Sequence, residues 1–239
     1  MKEVVFSVTP LHPKAILLNW ETKPSDKLLE ILLSFREILI KQPDISHCVM
    51  GYQSLVIHLI QKINQIPFWE QRLYELYSKR QPQKIEKRAH WKIPVCYQGT
   101  HAPDLIQLSD ALKMDPYELI RQHTKVQYRV YFIGFLPGFL YLNGLAERLH
   151  FPRKEKPQLK VPKGAVGIGG KQTGIYPSTG PGGWHLIGNT PISLFEINQQ
   201  PPCFAQAGDR ISFDPISEKK YQQIQREIKA RTFKLNVYD

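Results

Sequence analysis

Cysteine is scarce in this chain and never closely spaced: Cys48, Cys96 and Cys203 are the whole complement of its 239 residues, with no Cys-x-x-Cys pair. An odd number of isolated thiols excludes a disulfide frame and suits small buried apolar roles in a reducing cytoplasm. The eight histidines lack His-x-His and His-x-x-x-His spacing, so no metal site is expected. Long apolar runs are missing too; nothing approaches the ~20 residues of a membrane span. The start, Met1 to Val8, has no extended apolar stretch leading to a small-residue cleavage site. The expectation is a soluble cytoplasmic protein with no membrane partner.

Acidic residues are in the minority, 21 against 32 Lys and Arg, for a net charge of +11. Such an excess suits a phosphate backbone. The basic residues are scattered, however, and no RNP-like strand, zinc-finger spacing or arginine-rich arm accompanies them, so nucleic acid is not expected as a partner. The densest cluster is Arg148, Arg153, Lys154, Lys156, Lys160, Lys163 and Lys171, against Glu147 and Glu155. A small anionic ligand or an acidic partner protein fits that placement; a solvated basic surface is the alternative.

Several familiar chemistries are absent. There is no Walker A spacing, and Gly164-Ala165-Val166-Gly167-Ile168-Gly169-Gly170 is not the dinucleotide fingerprint, so ATP bound here would need a non-standard cradle. No Gly-x-Ser-x-Gly elbow exists, and no cysteine sits in a nucleophile context.

What the chain does have is a glycine-rich block. Residues 128 to 196 hold 12 of its 15 glycines. That density belongs where the backbone turns with φ > 0, or where a ligand or a second backbone comes close; glycine-rich turns of an ordinary barrel are the other reading. Arg129 and Tyr131 alternate with Val130 and Phe132, so on a strand they share a face and would offer a guanidinium and a phenol to one pocket. Arg153 and Lys163 sit beside prolines, which would hold a cation for phosphate or carboxylate. Gln172, Tyr176 and His185 would line one pocket with amide, phenol and imidazole, although His185, beside Trp184, also reads as a hydrogen-bonded structural histidine.

Periodicity organises the rest. Residues 1–80 read as β-β-α-β-β-α, an α+β sandwich, with strands at Val4–Val8, Ala15–Trp20, Ile45–Met50 and Ser54–Leu59. Ser25 caps the first helix, and Pro67 opens a second running to about Arg80. The polar stretch 81–89 is the expected linker. Residues 90–239 read as a second, β-rich domain, a barrel or a sandwich: a strand at Trp91–Tyr97, helices at Asp104–Lys113 and Pro116–His123, then short strands at Tyr128–Phe135, Ala165–Gly169, Thr173–Tyr176, Trp184–Ile187, Ile192–Phe195 and Arg210–Phe213, and a final helix over Ser217–Arg231.

The block carries recognisable runs: Tyr128-Arg129-Val130-Tyr131, Phe135-Leu136-Pro137-Gly138-Phe139-Leu140-Tyr141-Leu142, Val161-Pro162-Lys163-Gly164, Gln172-Thr173-Gly174-Ile175-Tyr176-Pro177 and Pro181-Gly182-Gly183-Trp184. With Ile93-Pro94-Val95-Cys96-Tyr97 and Pro103-Asp104-Leu105 upstream, the chain resembles the family of bacterial 5-oxoprolinase B subunits. That family is also labelled allophanate hydrolase subunit 1 and includes an inhibitor of a sporulation histidine kinase. The resemblance implies a cyclophilin-like β-barrel after a small α/β domain, acting with the A and C subunits of 5-oxoprolinase to open 5-oxo-L-proline to L-glutamate at the expense of ATP, with Mg in the assembled complex. Within this frame the candidates read from the block are Arg153, Lys163, Tyr176 and His185 for catalysis, and Arg129, Tyr131, Gln172, Gly169 and Gly170 for substrate contacts. A histidine kinase as partner and a urea-carboxylase-type carboxyltransferase are the alternatives. Phe135, Phe139, Tyr141 and Trp184 are candidates for the boundary with the C subunit. The chain departs from the family pattern at Pro157-Gln158, at Leu140 and over Gln98-Gly99-Thr100-His101-Ala102-Pro103.

Overall fold

The computed structural model describes residues 6–81 and 88–238. They fall into two compact units, 1–87 and 88–239; the expected linker at 81–89 lies mostly outside the described residues, as does the start of the expected Val4–Val8 strand.

The first unit runs β1 (Phe6–His12), β2 (Ala15–Trp20), α1 (Asp26–Leu39), β3 (Ile45–Met50), β4 (Ser54–Leu59) and α2 (Ile66–Ser78). The strands form an antiparallel sheet in the order β1-β2-β4-β3. Alternation along β2 and β4 sends Ile16, Leu18, Leu55 and Ile57 to one face, where Leu28, Leu32 and Phe35 of α1 and Trp69, Leu73 and Tyr77 of α2 bury them. Ser25 caps α1, its Oγ accepting from the Leu28 N–H at 3.2 Å.

The second unit continues with β5 (His90–Cys96), α3 (Leu105–Ala111), α4 (Pro116–Thr124), β6 (Tyr128–Ile133), β7 (Leu140–Asn143), β8 (Gln158–Val161), β9 (Ala165–Gly169), β10 (Gln172–Ile175), β11 (Gly180–Gly182), β12 (His185–Asn189), β13 (Arg210–Ile216), α5 (Glu218–Lys229) and β14 (Val237–Tyr238). Seven strands close into a barrel in the order β12-β9-β10-β7-β6-β13-β5, sealed where Asn189 of β12 pairs with Cys96 of β5. The chain is thus α+β, with a small sandwich followed by a closed barrel. β13 runs parallel to β5 from Arg210 opposite His90 to Ile216 opposite Cys96. β8 and β11 form a separate ribbon.

Inward positions alternate as a barrel requires: Ile93, Val95, Tyr128, Val130, Leu140, Leu142, Val166, Ile168, Ile187, Ile211 and Phe213 share one core. The expected strand at Ile192–Phe195 is not a sheet strand; only Phe195 bridges, to Cys203. Both sides of β12, the preceding strand, are already paired, with β9 and β5, and Leu194 packs into the barrel core instead. Periodicity does not predict β7, β8, β11 and β14, each of four residues or fewer.

Candidate functional site

A second apolar cluster, separate from the barrel core, gathers Phe139, Val161, Ala165, Tyr176, Trp184 and Leu186 from the ends of several strands. Its centre is Trp184. A Cβ on Gly169 would overlap the indole, and Cβ atoms on Gly167 and Gly174 would come within 3.1 Å of Trp184 atoms. The close approach for which these glycines make room is therefore that of an indole ring. Phe139 meets Trp184 and Tyr176 edge-on, each at 5.5 Å between centroids.

Arg153 lies over this cluster, its Cζ 5.8 Å from the Trp184 ring centroid. It is exposed and, among the described residues, has no carboxylate partner. Two phenols feel it. Burial pushes Tyr176 up, against the Trp184 backbone N–H and then the Arg153 guanidinium; burial likewise raises Tyr141, and Arg153 opposes it. The arrangement is a free guanidinium on an aromatic floor with two protonated phenols beside it, equipped to donate hydrogen bonds to an anion or a carbonyl oxygen.

The other expected site residues are more dispersed. Lys163 is exposed and its Nζ donates to Ser193 Oγ at 2.9 Å. His185 is buried; its Nε2 donates to the Pro152 carbonyl at 3.0 Å, while its Nδ1 is buried with no partner. That bond anchors the segment leading to Arg153. Arg129 Nη1 donates to the Gly208 carbonyl at 2.8 Å, and Tyr131 accepts from Asn143 Nδ2 at 3.3 Å. The alternation expected to place these two on one face is interrupted by a bulge between Val130 and Phe132, and Tyr131 is fully buried. Gln172 is half-buried on β10 opposite Gly169, and Gly170 turns the β9–β10 hairpin at φ 65°. Arg153, Tyr176 and Trp184 thus come together; Lys163, Arg129, Tyr131 and Gln172 make their contacts elsewhere. Of the four aromatics expected at a partner boundary, Phe139 and Trp184 are buried, Tyr141 is half-buried, and Phe135 is 68% exposed.

Two polar assemblies escaped sequence reasoning. Asp104, buried before α3, accepts at Oδ2 from the Leu186 N–H and from Lys154 Nζ, both at 2.7 Å. One lysine of the basic cluster is therefore neutralised inside the fold. The second is a relay in the barrel. Tyr97 O–H donates to His123 Nδ1 at 2.9 Å, His123 Nε2–H donates to Thr173 Oγ1 at 2.8 Å, and Thr173 O–H donates to the Gly167 carbonyl at 3.0 Å. The three side chains are far apart in sequence, and only barrel closure assembles them.

The family described as carboxyltransferase domain, subdomain C and D, matches residues 6–205, most of both units. The chain belongs to that family. It is similar to the B subunit of the Bacillus subtilis 5-oxoprolinase, 34% identical over 94% of this chain and 98% of that protein. The B subunit of the Haemophilus influenzae 5-oxoprolinase is 38% identical over 87% of this chain and 96% of that protein. Among solved structures, TTHA0988 superposes with a TM-score of 0.72 at 28% identity over 85% of this chain, which spans only 40% of that longer one. The urea amidolyase of Kluyveromyces lactis shares the fold, with a TM-score of 0.82 at 18% identity over 98% of this chain and 16% of that one. No helix among the described residues is long and apolar enough to cross a membrane.

Proposed function

We propose that this chain is the B subunit of an ATP-dependent 5-oxoprolinase and acts with the A and C subunits to open 5-oxo-L-proline to L-glutamate. The observation that carries the reading is the Arg153 guanidinium over Trp184, without a carboxylate partner among the described residues and beside Tyr141 and Tyr176, in a chain whose near-full-length relatives are named as 5-oxoprolinase B subunits. A five-membered lactam is an unactivated amide, and ring opening needs preorganised donors where charge develops on its carbonyl oxygen. Arg153 supplies a fixed cation for that oxygen or for the substrate carboxylate, and Tyr176 a phenolic donor.

Among the described residues, groups that a triphosphate cradle in the glycine-rich block would draw on are engaged elsewhere. The space over Gly169 is filled by Trp184, Lys154 is committed to Asp104, and Lys163 donates to Ser193. ATP and its Mg are accordingly assigned to the partner subunits. The exposed Phe135 and Leu159, 68% and 91% accessible, are proposed as contacts with the C subunit.

The test is ATP-dependent glutamate release from 5-oxoproline by this chain mixed with the A and C subunits. Arg153→Met should leave assembly intact and lower turnover by ~10²-fold, about 3 kcal/mol of transition-state stabilisation. Lys163→Met, which removes a cation already engaged at the surface, should cost less than about tenfold. Near-normal turnover in Arg153→Met overturns the role of the guanidinium; no glutamate from the complete mixture overturns the activity.

A further inference from the structure

One cluster of donor atoms lies outside the site described above. Cys96 is the last residue of β5 and fully buried; His101 ends the short turn 99–101; Glu218 opens α5. Glu218 Oε2 stands 2.7 Å from His101 Nε2 and 3.8 Å from Cys96 Sγ, and the three donor atoms all lie within 4.8 Å of one another. Among the described residues this is the sole grouping of its kind. It draws on segments more than a hundred residues apart, which is why ligand spacing in the sequence showed nothing.

We propose that Cys96, His101 and Glu218 bind a single divalent cation of the zinc type. One thiolate, one imidazole and one carboxylate suit a borderline-soft, tetrahedral ion, with a fourth position open to water. Ordinary zinc–ligand lengths place such donors about 3.3–3.6 Å apart, so the observed separations need only small side-chain rotations to reach them. Binding breaks the Cys96 S–H bond; the sulfur's electron pair goes to the metal and the proton to solvent.

Neighbouring residues brace the three ligands as supporting shells of metal sites do. Glu218 Oε1 accepts from Gln222 Nε2 at 3.1 Å, and the Glu218 backbone N–H donates to Gln98 Oε1 at 3.3 Å. The His101 ring lies 4.1 Å from that of Tyr221, whose hydroxyl donates to Asn189 Oδ1 at 2.7 Å. Asn189 is in turn the β12 residue paired with Cys96 at the barrel seam. The Glu218 side chain is 48% exposed, so an ion enters from solvent without unfolding the barrel.

The test titrates the purified, chelator-treated chain with Co(II) as the probe. One equivalent should give visible d–d bands of tetrahedral intensity and a near-ultraviolet thiolate charge-transfer band, both bleached by Zn(II). Cys96→Ser should lose the charge-transfer band. His101→Gln, at a less buried position, should weaken Co(II) binding by more than about tenfold while keeping the wild-type melting temperature of the metal-free chain. The Cys48→Ser/Cys203→Ser double variant should bind as wild type. Absence of the bands, full-strength binding by His101→Gln, or loss of the charge-transfer band in the double variant would each overturn the proposal.

Discussion

Single residues set the electrostatics of the barrel interior. His123 accepts a hydrogen bond at one ring nitrogen and donates one from the other, a pattern available only to the neutral imidazole, and burial pulls its pKa down from 6.5 to about 3. Between those values the unfolded chain binds the proton and the folded chain does not. This group's contribution is therefore complete above pH 6.5 and is lost as pH falls toward 3, with a limiting slope of about 1.4 kcal/mol per pH unit. Urea unfolding at neutral and progressively acidic pH should show stability falling with acid, and His123→Gln should flatten that slope while lowering stability at neutral pH. An unchanged slope would remove His123 as its source. Arg153 stands out in the sequence as a candidate because its neighbouring proline and basic context are local signals. The relay of Tyr97, His123 and Thr173 does not, since no periodicity links positions so far apart.

At the scale of elements, β9 and β10 show how far a glycine count can be read. The sequence reveals that something lies close against this backbone, but the occupant is decided by which face of the barrel Trp184 reaches. Gly169→Ala should cost about 1–3 kcal/mol through overpacking against the indole and should also displace the floor beneath Arg153. Gly180→Ala on β11, where an added Cβ meets nothing within 4 Å, should be nearly neutral. Urea midpoints of the two variants test the comparison, and equal stabilities would mean that the tryptophan does not need the glycine floor. Gly164 is constrained differently: its φ of 82° and the nearby Thr190 carbonyl both exclude a side chain. Longer elements with strong alternation or caps, such as β2, β4 and α1, were readable to within a residue or so at their ends. Strands of two to four residues set among Gly and Pro, such as β7 and β11, carry too few alternations to register.

For the whole molecule, the sequence expects a linker at 81–89 and a second domain from 90, and the chain divides into compact units 1–87 and 88–239, each with its own apolar core. We propose them as separate domains. Residues 1–87 expressed alone should then give a cooperative thermal transition with α+β circular dichroism, because the core of Trp20, Phe35, Trp69 and their neighbours is complete within them. A disordered fragment would show that the first unit depends on the second. The β-β-α-β-β-α order was visible from period alone, whereas barrel closure was not: it rests on a pairing between β5 and two strands remote in the chain.

That pairing has a consequence for synthesis. β13 lies between β5 and β6 in the barrel but follows them by more than seventy residues in the chain, so until it has been made the nascent second unit has two hydrogen-bonding edges and no partner to cover them. Exposed edges of this kind invite pairing with other chains, and long-range parallel contacts form slowly. Barrel closure therefore waits on β13, and the edges of β5 and β6 need cover from other chains in the interval before it arrives.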